Sequence, residues 1–482
     1  MKKTLTLFCA ILISVSSYST HLMGGQIVAN YLGTDSTGSQ YALELTAYRD
    51  TVGIQMQLSA EFEIFSQDTS GNYNYLFSST VYYDSTNTGG VLSSVQSVYG
   101  VEVYTFHDTI TLPGDGSYAI RWSECCRNGA IVNMSNPLNE SMKLLTYITV
   151  DSASPNSSPS YLTPPVSYLP VHTVWQYNPL PFDPDGDSLV WSLQVPLDDN
   201  GTVNGYEFLS DSIYSDSNAV FSLDSVTGSL TWSAKLVGHF VASFVIEEYR
   251  NGTKIGEMRR DMQFIVIPDT SNAMPNISNM QSVPTNSGGY PYVKINPGQN
   301  YQLHLIANDA DPNDILDMEA FGESFGLSIS PSNLSVGLTG NGNEIQGTFS
   351  WTPDMSAVRA LPYLVVFRTS DNIFYHDETI QFEVTMSSTD INDNNGGLGI
   401  HNIYPNPANN KLFIPIFLDR SSEFSIEIYN MVGLQVKSNT INLGIGNNLI
   451  VTDLDLSVGQ YIVLIKYSQG SILNAQNLSI VR

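Results

Sequence analysis

Asp183, Asp185 and Asp187 alternate through the pentapeptide DPDGD, and Asp309 and Asp311 alternate in the same way through DADPND. Calcium takes about six to eight hard oxygen ligands, and carboxylates separated by Pro and Gly turns can converge on one ion. Each loop needs a further oxygen from a strand end. Asp371 of FRTSDN offers it in the second case; in the first the matching strand end reads EEYR, so Glu247 or Glu248 must serve, with Glu248 taken as the ligand. The expected set is therefore Asp183, Asp185, Asp187 and Glu248, then Asp309, Asp311 and Asp371. The second set is the poorer candidate, because Asn313 stands near an expected acid. The alternative is an Asx turn, in which an Asp side chain only caps loop amides. Neither loop has the terminal Glu and flanking helices of an EF-hand.

Other residue types invite chemistry and fail on context. Cys125 and Cys126 are adjacent, so they cannot supply the separated ligand pairs of a zinc site; in an oxidising space they are expected to pair with each other. The seven histidines are scattered, without HExxH, so no transition metal is assigned. Gly322-Glu323-Ser324-Phe325-Gly326 matches GxSxG, but a nucleophile elbow requires a strand turning into a helix, and LSISPSNLSV follows. Glu247 and Glu248 are neighbours on a strand and point to opposite faces, whereas glycosidase carboxylates flank one bond. No catalytic residue is assigned. Trp191, Trp232 and Trp351 lie in strand-like runs and read as core. Trp175 in VHTVWQY is expected to pack at a domain junction, with an exposed sugar platform as the alternative.

The elements that must position these residues are strands. Runs such as YALELTAY, AEFEIFS, VASFVIEEY, YQLHLIA and LPYLVVF alternate or are continuously apolar, between turn clusters such as PGDGS, DNGTVNG and TGNGN. That pattern reads as all-β sandwiches. A repeat is visible: FDPDGDSLVWSL, FSLDSVTGSLTW, GHFVASFVIEEY and MQFIVI answer to ANDADPNDILDM, GNEIQGTFSW, LPYLVVFRTSDN and IQFEV. Trp232 to Phe264 spans 32 residues and Trp351 to Phe382 spans 31. Tandem domains of one type follow.

The chain of 482 residues carries 19 basic and 46 acidic residues, a net charge of −27. So acidic a surface repels phosphate backbones, which excludes nucleic acid as a partner. Lys2 and Lys3, the apolar run Leu5 to Val15 and Ser17-Tyr18-Ser19 form a signal peptide with cleavage before Thr20. Cys9 has no lipobox around it, and no later stretch is long and apolar enough to span a bilayer. The expected organisation is a signal peptide at 1–19, an N-terminal β-sandwich at 20–151, repeats at 152–269 and 270–388, a linker at 389–399 and a C-terminal domain at 400–482. The last is neutral, with five basic and five acidic residues, behind a mature body at −29.

DPDGDSL followed by FSLDSVTGSLTW resembles the immunoglobulin-like and cadherin-like repeats of bacterial surface proteins, over Pro155 to Thr385. In such repeats calcium at the loop stiffens the junction. THLMGGQI, LTAYRD, ECCRNGAIVN and the NSSP stretch resemble a family of exported Bacteroidota proteins. That resemblance implies cysteines where this chain has Thr51 and, approximately, Val171, so it lacks a covalent clamp there. IYPNPANNKLFI, FSIEIYNMVGLQV and LDLSVGQYIVLIKY resemble the type A sorting domain of type IX secretion, over Ile400 to Arg482. The resemblances imply a secreted or cell-surface, non-enzymatic adhesion or structural protein, open to stiffening by calcium, that meets the type IX machinery through its tail and an extracellular glycan or protein through its body. The alternatives are a carbohydrate-binding accessory module using Trp175, or a hydrolase with an unrecognised site in the N-terminal domain.

Overall fold

The computed structural model describes residues 21–51, 54–82, 100–164, 166–268, 272–340, 343–359, 361–371, 373–385, 398–400, 403–418, 420–430, 433–467 and 472–481. The signal peptide expected at 1–19, with Cys9, and most of the linker expected at 389–399 lie outside these. Among the described residues there is no α-helix; four single-turn 3-10 segments interrupt a series of strands. The protein is all-β, built of tandem β-sandwiches. The chain forms two compact units, 1–386 and 387–482.

Within the first unit the two repeats share a strand order. In the first, Val166–Pro170 runs parallel to Thr253–Ile267, which pairs antiparallel with Gly238–Arg250, which pairs with Ser188–Gln194. In the second, Tyr292–Ile295 runs parallel to Tyr375–Val384, which pairs with Tyr363–Ser370, which pairs with Asp317–Gly322. The facing sheets correspond too. Val174–Tyr177, Leu230–Ser233 and Ser222–Leu223 answer to Tyr301–Asn308, Glu344–Trp351 and Asn333–Leu338. Alternation puts apolar side chains between the sheets. Trp191, Trp232, Phe240, Phe244 and Phe264 fill the first core; Phe349, Trp351, Phe367 and Phe382 fill the second.

The N-terminal strands are not hydrogen-bonded among themselves alone. Thr253–Ile267, 15 residues long, pairs at Gly256 to Met258 with Met142–Val150 and at Asp261 with Gly25 of Leu22–Asp35. One 11-stranded sheet therefore crosses the boundary expected at residue 151. The second unit is a sandwich of its own. A sheet of Leu398–Ile400, Lys411–Leu418 and Gly446–Asp453 accompanies one of Gln435–Leu443, Ser422–Asn430, Gly459–Tyr467 and Ile472–Ile480.

Candidate metal centres

The DPDGD loop leads straight into Ser188–Gln194, and the register sets Leu189 opposite Glu248. Thus the loop and the end of Gly238–Arg250 lie side by side, and Glu248, not the half-exposed Glu247, turns inward. Asp183 Oδ1 accepts from the backbone N–H groups of Asp185 and Asp187, both at 2.9 Å. Gly186 turns the chain there at φ 79°, a conformation that disfavours a side chain. The loop is therefore an Asx turn, and it also gathers carboxylates: one oxygen from each of Asp183, Asp185 and Asp187 lies within 4.8 Å of the others.

What the turn leaves over is informative. Asp183 is 4% exposed and Glu248 0%. Asp183 Oδ2 and Glu248 Oε1 are buried without a hydrogen-bond donor, and the two carboxyl groups interact directly. Burial first, then the charge of Asp183, pushes the Glu248 carboxyl up to about 9; burial also raises Asp183. Two acceptor-only groups in contact need a proton or a cation between them. Gly256 makes the room, since a Cβ there would fall on Glu248 Oε2. The other carboxylates are engaged. Ser157 N–H donates to Asp185 Oδ2 at 2.6 Å, and Asn156 Nδ2 donates to Glu248 Oε2 at 3.0 Å. Arg250 forks onto Asp187, with Nε to Oδ1 at 2.9 Å and Nη2 to Oδ2 at 2.5 Å. A guanidinium thus neutralises part of this cluster from within.

The second loop repeats the plan without the guanidinium. Asp311 N–H donates to Asp309 Oδ1 at 2.8 Å, Ala273 N–H to Asp311 Oδ2 at 2.6 Å, and Asn272 Nδ2 to Asp371 Oδ2 at 2.7 Å. Asp371 Oδ1 caps the amides of Ile373 and Phe374 at 2.7 and 2.6 Å. The third member of the tight cluster with Asp309 and Asp311 is Asp314, which supplies the acid expected at Asn313. Asp309 Oδ2 and Asp314 Oδ2 are buried without a donor. Burial, with the neighbouring charges Asp371 and Asp311, raises both carboxyl groups. Among the described residues no Lys or Arg pairs with Asp309, Asp311, Asp314 or Asp371. The second loop therefore has the larger uncompensated charge, although its sequence made it the poorer candidate.

Sequence reasoning missed Asp314, Arg250, Asn156 and Asn272. An alignment of the two repeats would have exposed the asparagines, each followed by a residue whose N–H meets the middle aspartate. Both belong to the segment entering the repeat, so each acidic cluster fastens a junction.

The remaining candidates are structural. Trp175 is fully buried and donates from Nε1 to Tyr375 O at 2.8 Å, across to the second repeat. It packs at the junction, as expected, and its ring is not exposed as the alternative of a sugar platform requires. Ser324 is buried in a 3-10 turn, with its hydroxyl 2.7 Å from that of Ser332; the GxSxG match is no elbow. Cys125 and Cys126 lie sulfur against sulfur. The rest of ECCRNGAIVN stitches the N-terminal strands to the first repeat. Arg127 meets Asp261 at 2.6 Å with both side chains buried, and Asn133 hydrogen-bonds both backbone groups of Val241 at 2.9 Å. Thr51 and Val171 donate their amides to Gly100 O and Ile267 O.

Residues 402–476 match the secretion system C-terminal sorting domain. The protein therefore carries the address of type IX export and is sent out of the cell. No curated protein matches the chain. Solved structures similar to it include an endo-fucoidan hydrolase of glycoside hydrolase family 107, at 13% identity and TM-score 0.20, covering 67% of this chain and 44% of that one. The four N-terminal Ig domains of Dscam1 match at 10% identity and TM-score 0.20, covering 95% and 99%. An Escherichia coli alpha-2-macroglobulin matches at 8% identity and TM-score 0.22, covering 95% and 44%. The chain spans less than half the length of that hydrolase, and likenesses this distant carry neither activity nor ligand to it. No helix among the described residues is long and apolar enough to cross a membrane.

Proposed function

We propose that the protein is a non-enzymatic adhesive or structural component of the cell exterior, whose tandem sandwiches are stiffened at their junctions by calcium. The observation that carries the calcium reading is the pair of equivalent acidic loops. Each is bonded to the segment entering its own repeat, and each keeps buried carboxylate oxygens without donors. In the second loop Asp309, Asp311 and Asp314 would hold the ion, with Asp371 nearby. In the first, Asp183, Asp185 and Glu248 would hold it beside the Arg250–Asp187 pair. Bound there, calcium supplies charge neutralisation, and the aspartates tie linker to loop.

The test is thermal unfolding in millimolar calcium against EDTA. An ion that binds only the folded state adds about 2.7 kcal/mol at a hundredfold excess over Kd. Magnesium should give much less, since it demands a tighter octahedron and sheds water reluctantly. Equal melting temperatures in calcium and EDTA would reduce both loops to Asx turns.

A further inference from the structure

One surface feature stands apart from both acidic loops. Where Met142–Val150 pairs with Thr253–Ile267, a cleft of about 370 Å³ opens on the outer side of the shared sheet. This lies within the ~300–1,000 Å³ range of small-ligand clefts. Tyr73, from the start of the edge strand Tyr73–Tyr82, reaches over to Tyr147, with ring centroids 5.1 Å apart and planes at 57°. The rings form an angled corner that is not sealed, since Tyr73 remains 36% exposed. The opposite wall is Lys254 and Glu257, and Ser117 and Thr149 add hydroxyls.

The polar groups are held in place. Lys254 Nζ donates to Glu247 Oε1 at 2.6 Å and to Glu257 Oε2 at 2.7 Å, so its ammonium is fixed and its charge is matched. Arg259 brings a second cation, its Nε 3.8 Å from Glu257 Oε1, so two cations stand against Glu247 and Glu257; a phosphate or sulfate finds no net positive charge here, on a body that is itself strongly acidic. A lipid chain finds too many polar walls. A sugar ring fits both halves of the cleft: its C–H face lies on tyrosine rings, which give rigid apolar contact with a polar tip, and its hydroxyls meet fixed donors and acceptors. We infer that this cleft binds neutral sugar rings of an extracellular polysaccharide. The inference rests on reading the body as a non-enzymatic surface binder, and it names the ligand class that reading left open. It does not rest on calcium, because the acidic loops contribute no wall of the cleft.

The test is affinity electrophoresis of the full chain in native gels cast with xylan, mixed-linkage β-glucan or galactomannan, with dextran sulfate as an anionic arm, each in calcium and in EDTA. Retardation is expected in at least one neutral polysaccharide. Tyr73→Ala and Tyr147→Ala should each weaken it at least tenfold, the scale of an aromatic hot spot at about 1.4 kcal/mol or more; Tyr147→Phe should keep it. Melting curves identify a variant that fails to fold. If Tyr147→Ala is one, Tyr73→Ala, at an exposed ring, decides. No retardation in any neutral gel, retardation by dextran sulfate alone, or full retardation in folded Tyr73→Ala would each overturn the inference. Retardation that persists while calcium fails to shift the melting temperature would sink the calcium reading and leave this one standing.

Discussion

Asp183 and Glu248 are two carboxyl groups placed where only one negative charge is comfortable. Without metal, the folded state holds the Glu248 proton up to about 9, while an unfolded glutamate releases it near 4.5. A pKa raised on folding adds stability that is complete below the unfolded value and is lost as pH rises through the folded one. In EDTA the melting temperature should therefore fall between pH 5 and pH 8, and calcium should flatten the slope by taking the proton's place. Glu248→Gln keeps the shape and the Asn156 contact while removing the charge. It should flatten the slope in EDTA without calcium; an unchanged slope would place the pH response elsewhere on the acidic surface. The second loop gives a companion prediction. Because Arg250 already compensates the first cluster, Asp314→Asn should remove more of the calcium-induced shift in melting temperature than Asp187→Asn does. Equal losses would mean that the guanidinium does not substitute for charge on the ion.

At the scale of elements, two junctions hold the body together, and each is built on a strand that serves two partners. Thr253–Ile267 carries the first repeat on one side and the N-terminal strands on the other. Tyr375–Val384 forms the sheet of the second repeat and offers Tyr375 and Asp377 to the first. Asp377 is held by Arg368 at 2.7 Å and accepts from Asn178 N–H at 3.0 Å. Tyr375 takes the Trp175 indole N–H on its backbone and sends its hydroxyl to Ser167. Trp175→Ala should lower stability by about 3–5 kcal/mol, the usual cost of emptying a large buried aromatic site. It would show as a lower urea midpoint, and it should leave retardation by neutral polysaccharide intact in the folded fraction. The strands, the repeat and the DPDGD landmarks were legible because period-two alternation and turn residues are local signals. The shared sheet was not, since Thr253–Ile267 reads as a buried strand whichever neighbours it pairs with. Asp314 was hidden by one residue of loop length, and Arg250 by lying on a strand end remote in sequence from the aspartates it neutralises. The Tyr73–Tyr147 corner joins strands about 70 residues apart and carries no motif at all.

Over the whole molecule, charge and core divide at the same place. The acidic residues crowd the body, while residues 400–482 balance five against five. The buried cluster of the C-terminal sandwich runs from Ile400 to Ile480, and the clusters of the body end at Val384. Each unit thus has a buried apolar cluster made of its own described residues. A tail that carries a receptor-read address has reason to be built this way: it must fold and be recognised whatever cargo precedes it, and a neutral surface limits its attraction to, and repulsion by, an acidic one. Deletion of 400–482 should thus leave the melting temperature of the body within a degree or two, and its calcium response and polysaccharide retardation unchanged. The same deletion should stop export, so that surface labelling of intact cells falls to background while the truncated protein accumulates in the periplasm. Wild-type surface labelling of the truncated chain would show that the body carries an address of its own. A collapsed melting temperature would show that the two units fold as one despite their separate cores.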